Sequence, residues 1–183
     1  MLDLNKRIKM ENTIYTISIY TENNIGLLNR ISSIFLQRHI NIESLTASNS
    51  EIENVTRLII VVDSTEDRIK KIIGQIEKQV EVIKAYYHTN AESIYLQSAL
   101  FKIKSNLLFE KRQIQNIIKK SNAQIVTVTP EFFVIEKSGR KEEIDKLYKQ
   151  ILPYGIMQFV RSGRISVTKE EMKISEMLKE QLN

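Results

Sequence analysis

Between residues 13 and 88 the apolar residues switch between the alternation of a strand and the three-to-four spacing of a helix, in a fixed order. Thr13–Tyr20 reads TIYTISIY, with β-branched and aromatic residues on both sides of the alternation, which predicts a strand. After the polar Thr21–Asn24, the run GLLNRISSIFLQR places Leu27, Leu28, Ile31, Ile34 and Phe35 on one face of a helix. Asn41–Ser50 and Asn54–Asp63 are two strand-like runs, and RLIIVVD within the second is as continuously apolar as a central strand. Ser64 and Thr65 before Glu66 and Asp67 open a second helix, hydroxyl cap first and acids in the first turn. Its stripe is Ile69, Ile72, Ile73 and Ile76, with Val80 one turn on, and Val82–His88 closes the set as a strand. Strand, helix, strand, strand, helix, strand is the split-βαβ, ferredoxin-like order, in which two helices bury their stripes on one face of a four-stranded sheet.

Residues 94–166 repeat the order with different residues. Tyr95–Ile103 is strand-like, Leu107–Lys120 helical, Ala123–Thr129 and Glu131–Lys137 strands meeting at Pro130, Lys141–Leu152 helical, and Gly155–Arg161 a last strand. The expected fold class is therefore α+β, two βαββαβ modules at 13–88 and 94–166, joined near Thr89–Ser93. A tail, 167–183, carries a capping-box pattern in Thr168 and Glu171 and a weak apolar side of Met172, Met177 and Leu178, which predicts a short helix.

Composition narrows the chemistry. The 183 residues contain no Cys, two His (His39 and His88) and five Gly. Thiolate chemistry is excluded, and a multi-histidine metal centre is not expected. No glycine-rich phosphate loop and no G-x-S-x-G elbow occurs. The carboxylates Glu22, Glu43 and Glu77 are scattered and show no pairing for acid–base work. The start, MLDLNKRIKMEN, is polar, and no apolar run approaches a membrane span, so the expectation is a cytoplasmic protein with no membrane contact.

The formal charge of +5 is uneven: residues 1–90 carry 11 basic and 11 acidic side chains, and the second half supplies the excess. There the lysines interleave with acids, as in KSGRKEEIDKLYKQ, the pattern of a solvated helix face. Tyr86-Tyr87 and Phe132-Phe133 place one aromatic on each side of a strand, but the RNA-binding signature of such sheets is absent. No nucleic-acid partner is expected.

The stretch ENNIGLL, Glu22–Leu28, is where a ligand is easiest to accommodate. Gly26 sits where a strand hands over to a helix, and the first-turn amides around Leu27 and Leu28 lack intrahelical partners, which suits a carboxylate or phosphate. The same glycine is also explained by the turn alone. Asn41 opens the next strand; its carboxamide suits either a cap or a ligand's ammonium and carboxylate. His39 lies at the helix C-terminus, where a cap reading is the simpler one.

E-N-x-x-G-x-L-x-R (Glu22–Arg30), F-x-Q-R (Phe35–Arg38) and N-I-E-S-L-T (Asn41–Thr46) together resemble the regulatory, or small, subunit of acetolactate synthase. Weaker matches follow in order: Gln75–Gln79, V-T-P at Val128–Pro130 and R-S-G at Arg161–Gly163. The resemblance implies an N-terminal ACT domain that binds an amino-acid effector, valine, and a related C-terminal domain. It implies a catalytic large subunit as partner, which makes 2-acetolactate from pyruvate in branched-chain amino-acid synthesis. Thiamine diphosphate, magnesium and FAD would sit in that partner and none in this chain. Carried over residue by residue, Asn23, Gly26, Leu27 and Leu28 of one chain and Asn41 and Ile42 of a neighbour would form the effector site, which implies a homodimer through the ACT domains. The family usually has Gly after the Gln-Arg pair, at a helix-ending turn; here it is His39, and Ile25 and Asn29 stand where smaller or hydroxyl residues are common. The reading that competes with a regulatory subunit is a free-standing ACT-type sensor acting on another enzyme or on transcription, against which the lack of an evident helix-turn-helix counts in part.

Overall fold

The computed structural model describes residues 12–182; the polar start at 1–11 lies outside them. The chain divides into two compact units. One runs to Ile94 and takes in the tail from Ser166, and the other is Tyr95–Ile165.

The first unit runs β1 (Thr13–Glu22), α1 (Leu27–Gln37), β2 (Ile42–Asn49), β3 (Val55–Ser64), α2 (Glu66–Ile76) and β4 (Val82–Thr89). The sheet order is β2-β3-β1-β4, antiparallel throughout, with Ile17 opposite Ile60 and Ile19 opposite Leu58 across the central pair. The core follows from the two periods. Tyr15, Ile17 and Ile19 of β1 and Leu58, Ile60 and Val62 of β3 point to the helices, which present Leu27, Ile31, Ile34 and Phe35 from α1 and Ile69, Ile72, Ile73 and Ile76 from α2. Each such side chain contributes about 1.5–3 kcal/mol by leaving water. Two residues of the expected stripes do not join them. Val80 is 96% exposed, because α2 ends at Ile76, and Leu28 is 43% exposed, at the rim of α1's apolar face. Thr65 is the N-cap of α2 but makes no side-chain cap bond.

The second unit repeats the plan. It runs β5 (Ser93–Lys104), α3 (Asn106–Glu110), α4 (Arg112–Lys120), β6 (Gln124–Val128), β7 (Phe132–Gly139), α5 (Lys141–Ile151), a 3-10 turn at Leu152–Tyr154, and β8 (Gln158–Arg161). The order β6-β7-β5-β8 matches the first sheet. Phe101, Ile103, Phe133 and Ile135 from the sheet meet Ile114, Ile118, Ile144, Leu147 and Ile151 from the helices. The single helix expected over Leu107–Lys120 is broken at Lys111, whose φ −114 and ψ 90 are extended. The aromatic pairs split across their strands: Phe133 is in the core, while Phe132 faces the other side with the Lys102 ammonium 4.1 Å from its ring centroid.

α1 in the first unit and α4 in the second end in the same way. His39 N–H donates to the Leu36 carbonyl and Ile40 N–H to Phe35; Asn122 N–H donates to Lys119 and Ala123 N–H to Ile118. This is the Schellman motif, which needs a left-handed residue, and His39 (φ 51) and Asn122 (φ 52) supply it. A β-carbon there costs about 1–2 kcal/mol. His39→Gly is therefore expected to stabilise the protein by about 1 kcal/mol, read as a higher denaturant midpoint at unchanged slope.

The tail forms β9 (Ile165–Thr168) and α6 (Ile174–Leu182). The expected capping box is not made. Thr168 Oγ1 instead accepts from Glu170 N–H at 3.0 Å, and the helix starts six residues later. Among its described side chains Leu178 is buried, packed on β1 and β3 of the first unit. No helix of the described residues is long and apolar enough to cross a membrane.

Candidate functional site

β1 is an inner strand, so its end delivers the chain between its two neighbours. There the base of the loop is held from both sides. Glu22 N–H donates to the Glu81 carbonyl at 2.9 Å, and Asn23 N–H donates to the Asn54 carbonyl, in the β2–β3 turn, at 3.2 Å. Asn24 N–H closes a tight turn onto the Glu22 carbonyl at 2.9 Å. Arg30 of α1 reaches across to the Glu81 carboxylate as an ion pair.

Gly26 is the N-cap of α1, at φ 86 and ψ −8. A β-carbon built there meets nothing within 4 Å, so glycine is required for its backbone angle and not for space. As a cap it has no side chain to offer, and no side-chain bond caps α1. Leu27 N–H turns back to the Asn24 carbonyl at 3.4 Å, a long bond, while Arg30 N–H takes the Gly26 carbonyl at 3.2 Å. The amides of Leu28 and Asn29 lie in the first turn, where no intrahelical acceptor reaches them. Helix geometry thus aims N–H groups and the positive end of the α1 dipole out of the loop.

A cleft of about 130 Å³ lies in front of this turn, lined by the loop itself, by Leu27 and Leu28, and by Ala47, Thr56 and Leu58 of the sheet. It opens beside a wider polar recess of about 520 Å³ lined by Glu22, Asn23, Asn24, Glu53, Asn54 and Val55. The cleft offers amide donors for a carboxylate, carboxamide and carbonyl oxygens for an ammonium, and the Leu28 side chain for an apolar group. Its lining has no Lys, His or Arg, and nothing in it pairs a nucleophile with a base. Two nearby groups are shifted by their surroundings. Glu51, in the β2–β3 turn, is held below its ordinary value by its own backbone amide and then by the Ser175 hydroxyl. Burial pushes the Tyr20 phenol up.

Of the six residues expected at a site, Asn23, Gly26, Leu27 and Leu28 converge here. Leu27 contributes only its main chain, because its side chain is in the core at 4% exposure. Asn41, exposed, and Ile42, half-buried, lie beyond the other end of α1. Eleven helical residues separate the two groups by about 16 Å, so one chain does not bring them together. Ala47, Asn54 and Thr56 carry no signal in the sequence that places them here. They belong to the β2–β3 hairpin, and only its register against β1 puts them beside Asn23.

Residues 97–170 match the family model described as the small subunit of acetolactate synthase, and residues 17–84 match the AHAS small subunit-like ACT domain. The chain is 31% identical over 155 residues to the acetolactate synthase small subunit of Mycolicibacterium smegmatis, covering 85% of this chain and 91% of that one. It is 32% identical over 148 residues to the acetolactate synthase small subunit of Bacillus subtilis, covering 80% and 86%. The crystal structure of an acetolactate synthase small subunit from Thermotoga maritima superposes with a TM-score of 0.77 at 22% identity, over 87% of this chain and 99% of that one, a likeness of fold.

Proposed function

Because the chain belongs to the acetolactate synthase small-subunit family, we propose that it is the non-catalytic regulator of a catalytic large subunit, activating it and carrying valine feedback onto it. The observation that carries the effector half of this reading is Gly26. A left-handed glycine starts a helix that has no side-chain cap, in front of a cleft with an apolar rim. That arrangement suits a free amino acid, whose carboxylate takes the Leu28 amide and the helix dipole.

In this reading the site is completed by a second copy. β2 is the edge of its sheet, and its last residues, from Ala47 on, lie at the loop end while Asn41 and Ile42 lie at the other. Antiparallel contact of two β2 edges about a two-fold axis sets the start of one strand against the end of its mate. Asn41 of the second copy then meets the valine ammonium, and its Ile42 shares the isopropyl group with Leu28. An effector held by two chains favours one dimer arrangement over another, and this differential affinity is what feedback requires. Thiamine diphosphate, magnesium and FAD belong to the catalytic subunit in this account, and this chain's contribution is contact and effector binding.

The test is an assay of the catalytic subunit alone and with the chain in excess, each with and without valine, beside light scattering of the isolated chain. The expected results are no acetolactate formation by the chain alone, a faster catalytic subunit on its addition, inhibition by valine only when it is present, and a dimer at micromolar concentration. An unchanged catalytic rate at stoichiometric excess contradicts the activating role, and a monomer contradicts the two-chain site.

A further inference from the structure

The tail helix lies beyond residue 170, where the match to the small-subunit model ends. It is nevertheless anchored at a particular place. Leu178 is 1% exposed and packs with Tyr20 (2%), Val55 (3%), Ile52 and Ile174. The Ser175 hydroxyl donates to Glu51 Oε1 at 2.7 Å. Earlier in the tail, Arg57 donates to the Ser166 carbonyl at 2.6 Å while its guanidinium sits 5.6 Å from the Tyr20 ring centroid. Lys169 is tied by its N–H to the Glu92 carbonyl at 2.9 Å and by its ammonium to the Ala91 carbonyl at 2.7 Å.

Those of Leu178 and Ser175 fall on the two segments that hold the effector loop. Tyr20 is at the end of β1, where the register against β4 shifts between Tyr20 and Thr21. Glu51, Ile52 and Val55 form the β2–β3 turn, closed by Ser50 N–H on the Val55 carbonyl at 2.8 Å and Val55 N–H on the Ile52 carbonyl at 3.2 Å. Its Asn54, in a left-handed conformation at φ 61, presents the carbonyl that takes Asn23 N–H. A contact chain therefore runs from α6 through the turn to the first residue of the loop.

We propose that Ile174, Ser175 and Leu178 are positioning residues of the effector site: α6 clamps the β2–β3 turn, and the turn holds the Asn23–Gly26 loop in the conformation that receives an amino-acid carboxylate. This rests on the reading of that loop as the effector site. Without the clamp, Tyr20, Val55 and Ile52 lose their cover and the turn gains freedom. The loop then spends part of its time in other conformations, and apparent affinity falls by the fraction that remains competent. Linkage runs both ways, so effector binding tightens the docking of α6.

The experiment uses the full chain, Leu178→Asp, a chain ending at Lys169, and the milder Ser175→Ala. Amide hydrogen exchange is measured without effector, valine binding is measured by calorimetry well below the melting temperature, and melts are recorded for all four. The expected result is faster exchange at residues 20–25 and 49–56 in Leu178→Asp and in the shortened chain, with the second unit's strands unchanged. Valine affinity is expected to fall about tenfold for a loop competent a tenth of the time, and Ser175→Ala is expected to shift in the same direction by less with its melt unaltered. Unchanged exchange at 20–25 overturns the proposal, as does a lowered melting temperature with unchanged valine affinity. Should Leu178→Asp not fold, the shortened chain and Ser175→Ala decide by the same criteria. A wild-type chain that binds no valine overturns the effector reading, and the exchange data then judge the clamp by themselves.

Discussion

Gly26→Asp abolishes the valine response and leaves the domain folded: this is the largest effect expected of a single substitution. The new carboxylate stands at the first turn of α1, the place proposed for the ligand's own carboxylate. Two like charges about 4 Å apart at a near-surface effective dielectric repel by on the order of 4 kcal/mol. Discounted for exposure, the loss in affinity is at least about 100-fold. Stability changes much less. There is space for the side chain, since a β-carbon meets nothing within 4 Å. At φ 86 it costs about 1–2 kcal/mol, of which an acid at a helix N-terminus returns about 0.3–1 kcal/mol. A domain of ordinary stability survives that loss. Gly26→Ala is the control: the same backbone cost without the charge, and valine binding retained. Calorimetric titration and thermal melts of the three proteins check it. Undiminished binding by a folded Gly26→Asp places the effector elsewhere.

The second large effect is at Asn41. Its carboxamide is assigned to the ligand's ammonium, and a hydrogen bond to a charged group is worth about 1.5–3 kcal/mol. Asn41→Ala is expected to weaken valine by roughly 10- to 150-fold. It should not move the melting temperature, because Asn41 is exposed between the Schellman turn at His39 and the start of β2. Activation of the catalytic subunit is expected to survive, since the residue lies in no core. A valine affinity equal to wild type counts against Asn41 as a ligand residue.

Much of this fold is legible in the residue pattern because each element states its own period. The stripe Ile69, Ile72, Ile73, Ile76 and the alternation Tyr15, Ile17, Ile19 name their buried faces without reference to anything distant. What is not legible has non-local causes. Val80 continues α2's stripe by spacing, but the helix stops a turn earlier and leaves it in water. Lys111 carries no breaking residue type, yet the helix breaks there. The site is half readable for the same reason. Gly26 and the first turn of α1 are neighbours in sequence, so their geometry follows from local rules. Thr56 reaches the cleft, and Asn54 the recess beside it, only through the pairing of β3 with β1, which no local pattern states. The docking of Leu178 on Tyr20 and Val55 is less legible still, because a leucine on a short helix with a weak apolar stripe has little period to announce it.

If one effector site is built from two chains, mixing two defective variants restores it. Gly26→Asp ruins the loop and Asn41→Ala ruins the strand start, so each homodimer has two defective sites. In a mixed dimer one site combines both defects, and the other combines an intact loop with an intact Asn41. After unfolding and refolding an equimolar mixture, valine binding is expected to return at wild-type affinity with about a quarter of the wild-type stoichiometry, the random-pairing value for a two-fold dimer. A mixture that binds no better than either variant alone, with mixed dimers shown to be present by mass, contradicts a site shared between chains.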